Sequence, residues 1–278
     1  MDLLVQPDDG LDPLVEAVKA AERRVDILIF RFDRAKLEKA LEDAVDRGVV
    51  VRALIAHTNR GGEERLRKLE LRLLARGVSV SRTADDLLRY HGKMLIVDDR
   101  LFVLGFNYTK TDIDRSRSLG LIIDDKKLIA AAEELYDADT NRQTYVPTAH
   151  DDFVVSPESA RVALTRFIKS AEKQLLIYDD KLSDRAICRL LQTKVKDGVD
   201  VKVIGRTAKG CDLESRRLKG RRLHVRAIVV DGKAVSVGSQ SLRKLELDSR
   251  REIGVICREA PIAKRVAQIF ERDWEEAT

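Results

Sequence analysis

His91 and Lys93 stand two residues apart just ahead of an apolar run, Met94 to Val97, and His224 and Arg226 stand likewise ahead of Ala227 to Val230. Side chains alternate along a strand, so within each motif the histidine and the cation face the same way. A phosphodiester resists attack because its oxygens repel nucleophiles and its alkoxide leaves poorly. A neutral imidazole can attack phosphorus to form a phosphohistidine while a protonated one donates to the leaving oxygen. Two fixed cations neutralise charge on the five-coordinate transition state. Asn107, Ser239 and Ser241 follow the motifs as candidate hydrogen-bond donors to the phosphate. Asp98 and Asp231 lie an odd number of residues from their histidines, on the opposite strand face, and read as structural anchors.

The surrounding chain repeats itself. Lys19-Ala-Ala-Glu22 resembles Lys169-Ser-Ala-Glu172, and Gly48, which ends a helical stretch before alternating valines, lies 150 residues before Gly198 in the same setting. The histidines are 133 residues apart, so the first half carries an insertion around Asn59 to Asp86, with Leu66, Leu69 and Leu73 at helical spacing. Arg117 and Gly120 precede Arg251 and Gly254 by 134 residues, and Asp112 corresponds to Glu246. One residue is therefore missing from the first half, and placing the loss between Asp98 and Leu104 aligns Leu104-Gly105-Phe106-Asn107 with Gly238-Ser239-Gln240-Ser241. Alternating strand and helix signals predict an α/β sandwich. The expected division is 1–136, a polar connection over 137–158, and 159–278.

At 278 residues and 44% apolar content the chain can bury a real core. Its net charge of +5 and pI near 9.0 lean towards anionic partners: phosphates, nucleic acid or acidic lipid head groups. Cys188, Cys211 and Cys257 are odd in number and lack a C-x-x-C pair, which predicts unpaired thiols in a reducing compartment. His57, His91, His150 and His224 show no metal-ligand spacing, so neither metal nor other cofactor is expected, and His57 and His150 read as incidental. Neither a signal peptide nor a membrane-spanning run is expected in this chain. The expected setting is cytoplasmic, with peripheral contact to anionic membrane and no obligate protein partner.

HGKMLIVDD and LHVRAIVVDGKAVSVGSQSL together resemble the two H-x-K-x4-D motifs of the phospholipase D superfamily, over nearly the whole chain. The resemblance implies two α-β-α sandwich lobes with mixed sheets, related by a pseudo-twofold axis and sharing one metal-independent active site. It makes His91 the nucleophile and His224 the acid. Arg226 stands where the family has lysine, and neither downstream G-S-x-N element is complete. Glu252 fits the family's glutamate that orients a histidine, whereas Ser118 fills the matching slot in the first half. The implied function is a phosphodiesterase or phosphatidyl transferase, with a phospholipid favoured over a nucleic acid backbone. A nuclease and a non-catalytic anion-binding scaffold are the alternatives.

Overall fold

The computed structural model describes residues 1–58, 63–147 and 150–278. The first half runs β1 (Asp2–Gln6), α1 (Asp12–Lys19), β2 (Arg24–Ile29), α2 (Ala35–Asp46), β3 (Val50–Ile55), α3 (Glu63–Ala75), β4 (Ser79–Arg82), β5 (Arg89–Tyr90), β6 (Met94–Val97), β7 (Arg100–Leu104), α4 (Lys110–Arg115), β8 (Ser116–Ile123) and α5 (Lys126–Thr140). The second runs β9 (Phe153–Ser156), α6 (Ala160–Lys169), β10 (Gln174–Leu182), α7 (Arg185–Lys196), β11 (Asp200–Thr207), β12 (Glu214–Arg216), β13 (Arg222–Leu223), β14 (Ala227–Val230), β15 (Ala234–Gly238), α8 (Lys244–Asp248), β16 (Arg250–Cys257) and α9 (Ala260–Glu276). Apart from α3 the two series correspond. The insertion expected around 59–86 contains that helix, with Leu66, Leu69 and Leu73 buried as their spacing predicts; residues 59–62 lie outside the described residues.

Each half builds a mixed sheet. β2, β3 and β4 pair in parallel, and β6, β7, β8 and β1 continue from β2 in antiparallel order. β10, β11 and β12, followed by β14, β15, β16 and β9, repeat the pattern. The central strands are continuous apolar runs because both sheet faces are covered. One core packs the first sheet against α1, α2 and α3, and another packs the second against α6 and α7. A third joins both sheets with α5 and α9, drawing on Met94, Val103, Val229, Val237 and Phe270. The two lobes thus share one apolar layer.

The β6–β7 turn holds Asp98 and Asp99, whereas the β14–β15 turn holds Asp231, Gly232 and Lys233. The residue missing from the first half belongs to this hairpin. Asp98 and Asp231 adopt left-handed backbone, φ 48° and 53°. Their carboxylates accept the backbone N–H groups of Glu22, Arg23 and Arg24 and of Glu172, Lys173 and Gln174, all at 2.8–3.0 Å. Each aspartate anchors the start of the neighbouring strand.

The lobes also exchange strands. β5, just before His91, pairs in parallel with β16, and β13, just before His224, pairs in parallel with β8. His91 N–H donates to Arg251 O at 2.7 Å and His224 N–H to Arg117 O at 3.0 Å. Arg117 makes a two-pronged pair with Asp273 of α9, at 2.9 and 3.1 Å, and Arg251 makes one with Asp139 of α5, both contacts 3.0 Å. Each histidine is pinned by the opposite lobe.

Two expectations need correction. The connection is shorter than 137–158, because α5 continues to Thr140 and β9 joins the second sheet as the counterpart of β1; Thr148 and Ala149 lie outside the described residues. Cys188 and Cys211 are joined as a disulfide, Cα atoms 5.5 Å apart, while Cys257 is free and buried. Twenty-three residues of separation hide the pair in the sequence, but α7 packs where the chain leaves β11. The reducing-compartment expectation rested on unpaired thiols and loses that support. Among the described residues no helix is long and apolar enough to cross a membrane.

Candidate active site

β5 and β13 deliver His91 and His224 to one cleft of about 370 Å³ between the lobes. Arg31, Arg89, Arg222, Arg226, Arg243 and Arg250 line it; Phe30 and Leu223 are its apolar side chains. The doubled motif therefore forms one composite site.

His91 Nδ1 lies 2.9 Å from Glu252 Oε2, a fully buried carboxylate on β16 of the other lobe. This contact holds the ring from the Nδ1 side. Phe30 meets the ring edge to face, centroids 4.5 Å apart. Lys93 is not among the side chains that line the cleft. It is 1% exposed and places Nζ 3.0 Å from both ring nitrogens of His91. Arg226 does line it; Nη1 donates to Val225 O at 2.8 Å, and its buried Nε has no hydrogen-bond partner among the described residues.

His224 has a carboxylate from the first half, though not where the repeat places it. Ser118, in the slot matching Glu252, donates to His224 O at 3.2 Å. Asp112 of α4 supplies the charge instead, Oδ2 lying 3.6 Å from His224 Nδ1. The same carboxylate accepts Asn107 N–H at 3.0 Å and Asn107 Nδ2 at 2.6 Å, and it pairs with Arg222. Its counterpart Glu246 likewise accepts Ser241 N–H, at 2.9 Å. Both acids brace a loop; only Asp112 also meets a histidine.

Of the three expected phosphate donors, Asn107 reaches the cleft; one N–H of its Nδ2 is given to Asp112, and its Oδ1 is unpartnered among the described residues. Ser239 and Ser241 face inward. The Ser239 hydroxyl accepts Ile253 N–H at 3.1 Å, and the Ser241 hydroxyl donates to Asp179 at 2.6 Å. His57 and His150 lie away from the cleft. The arginines at Arg89 and Arg222 had a sequence signal: each precedes its histidine by two residues, extending the strand-face alternation one step back.

The field of the site is positive. Burial, then Lys93 and Arg226, hold His91 well below the ordinary histidine value. Burial also lowers His224, helped by Arg226, Lys93 and Arg222 and opposed by Asp112. Burial, with Arg226 and Arg31, brings Lys93 down to about 7 against the pull of Glu252 and Asp112. Glu252 is raised by burial, against Lys93. Asp112 falls to about 2: burial opposes the fall, but His224, Asn107 and Arg222 outweigh it. Without an anion both imidazoles are neutral at pH 7, and a bound phosphate would favour their protonation.

Residues 14–140 and 164–274 match the family described as cardiolipin synthase, PLD-like domain, one segment in each half. The chain belongs to this PLD-like family. Polyphosphate kinase from Porphyromonas gingivalis superposes with a TM-score of 0.80 at 17% identity, over 98% of this chain and 50% of that one. Phosphatidylserine synthase of Haemophilus influenzae Rd KW20 gives 0.72 at 11% identity, over 99% and 85%. At such identities the likeness is one of fold, and this PLD-like chain spans half the length of the polyphosphate kinase. No curated protein sequence gives a significant match.

Proposed function

We propose that this PLD-like protein cleaves or transfers phosphate esters through a phosphohistidine on His91. The observation that carries the reading is the pair of cross-lobe contacts, Glu252 to His91 and Asp112 to His224, at one arginine-lined cleft. His91 Nε2 bonds to phosphorus as the P–O bond to the leaving group breaks, and His224 gives that oxygen its proton. Neutral His224 then takes a proton from water or an alcohol, whose oxygen displaces His91. Arg226 offers its guanidinium to the phosphate, while Lys93, 3.0 Å from both ring nitrogens of His91, sets the charge of that ring. A phospholipid head group and a nucleic acid strand both present the required group. The family's cardiolipin synthase description supports the first, and the arginine lining suits the repeated charge of the second.

The test uses a diester with an activated leaving group, which needs little protonation. His224→Ala is expected to accumulate phosphate on His91, whereas His91→Ala accumulates none. Among the described residues no group of three or more His, Cys, Asp or Glu is placed to hold a metal, and turnover is expected to survive excess chelator. Phosphate trapped on His224 in the unaltered protein would reverse the roles. Trapping none in any variant, with no turnover of lipid or nucleic acid, would favour an anion-binding scaffold.

A further inference from the structure

Beside the catalytic cleft lies a second cavity of about 330 Å³. Arg31 and Arg222 line both spaces, and the wall between them includes Asp112, the carboxylate facing His224. The rest of the lining includes Arg65, Thr109 and Thr111. We propose that this side cavity is a second anion subsite, taking a phosphate of the substrate next to the one that reacts between His91 and His224. The inference rests on the reaction proposed above and narrows its substrate to compounds with neighbouring phosphates.

The charges support an anion rather than a neutral alcohol. Three guanidiniums face two carboxylates, and both carboxylates are engaged: Asp33 accepts Lys110 N–H at 2.7 Å, and Asp112 holds Asn107 and Arg222. Arg31 Nε is buried with no hydrogen-bond partner among the described residues. Thr109 Oγ1 accepts Asp112 N–H at 3.3 Å, so its hydroxyl proton remains to donate. Guanidinium and hydroxyl donors are the groups that read phosphate oxygens.

The position supports a neighbouring phosphate rather than an unrelated ion. Arg222 has a side chain 48% exposed and sits between the two spaces, so one guanidinium can touch phosphates in both. The group whose oxygen is protonated by His224 departs beside Asp112, where the side cavity begins. Arg65 comes from α3, the helix without a counterpart in the second half. The insertion thus gives a repeated fold a wall on one side of the cleft.

Calorimetry with the full chain tests this, using orthophosphate, pyrophosphate and tripolyphosphate as probes. Pyrophosphate is expected to bind at least about tenfold more tightly than orthophosphate. Arg65→Gln, which removes a charge, and Thr111→Leu, which fills the space, should each cut that ratio by about threefold or more. Arg89→Gln alters the cleft alone and should weaken all three probes in common proportion, which separates a subsite from general attraction to a basic surface. Equal affinity for orthophosphate and pyrophosphate, or a ratio untouched by both cavity variants, overturns the subsite. Because binding is read without turnover, an Arg65-dependent ratio in a protein that forms no phosphohistidine would sink the reaction and leave the subsite standing. A trapped phosphohistidine with no such ratio would do the reverse.

Discussion

Glu252 and His91 meet across the lobe boundary, Oε2 to Nδ1 at 2.9 Å, so the nucleophile proposed for one half is oriented by the other. Glu252→Gln keeps the size and removes the charge. The amide can offer its N–H to Nδ1, favouring the tautomer that protonates Nε2 and blocks attack. We expect kcat to fall by about 10²–10⁴-fold, with KM much less affected. Steady-state kinetics with an activated diester measure it. An unchanged kcat would remove Glu252 from the mechanism.

Much of this site could be read from the sequence, and the parts that could not have a common cause. The pairing within each motif and the anchoring role of Asp98 and Asp231 follow from alternation along strands, a local rule, and the missing residue follows from the change of repeat offset between 133 and 134. Asp112 did not follow, because it meets His224 through the exchange of β5 and β13, two-residue strands too short to leave a pattern. The rule of equivalent slots points to Ser118, and the structure satisfies the need from another element. Ser239 and Ser241 face away from the cleft because the chain bends after the strand, turning both hydroxyls to buried partners. Cys188 and Cys211 pair through packing that spacing does not encode.

Lys93, brought down to about 7 chiefly by burial, predicts an alkaline limb. With an activated leaving group the acid is dispensable, so kcat/KM should fall as pH rises through about 7 and the charge on Lys93 is lost. Lys93→Arg should carry the limb well above pH 9, since a guanidinium keeps its proton. A limb at the same pH in that variant assigns it to another group. The linked stability has a definite sign. Between about 7 and 10.5 the unfolded chain holds the Lys93 proton and the folded chain has released it, so this residue makes stability rise with pH across that window.

Asp273 closes the lobe interface by holding Arg117 and accepting the Tyr178 hydroxyl at 2.6 Å. Arg117 and Asp273 side chains are only 7% and 4% exposed. Asp273→Asn leaves buried Arg117 with only the exposed carboxylate of Asp8, 3.3 Å away, as counter-charge and should cost about 3 kcal/mol in urea unfolding. Arg117 also sets the backbone of His224, whose N–H donates to Arg117 O. Activity should therefore fall before the protein unfolds, and a variant as stable and active as the parent would refute the coupling.

Arg222 and His224 compete for Asp112, the first paired with it and the second 3.6 Å from it. The charged groups acting on His224 are Asp112 from α4, Lys93 beside β6, and Arg222 and Arg226 on its own segment. Removing Arg222 deletes a repulsion and frees the carboxylate, so Arg222→Gln should move the His224 titration upward. Asp112→Asn should move it further down. With a poor leaving group, which requires the acid, the alkaline fall in kcat/KM should shift in the same two directions, whereas an activated leaving group should show neither shift. Nitrogen resonances of the imidazole read the titration directly. If both effects of Arg222 are real, Arg222→Gln should shift His224 less in the Asp112→Asn background than in the parent, because only the repulsion remains to be relieved. Equal shifts in the two backgrounds would show that Arg222 acts on His224 by repulsion alone and would remove Asp112 from the competition.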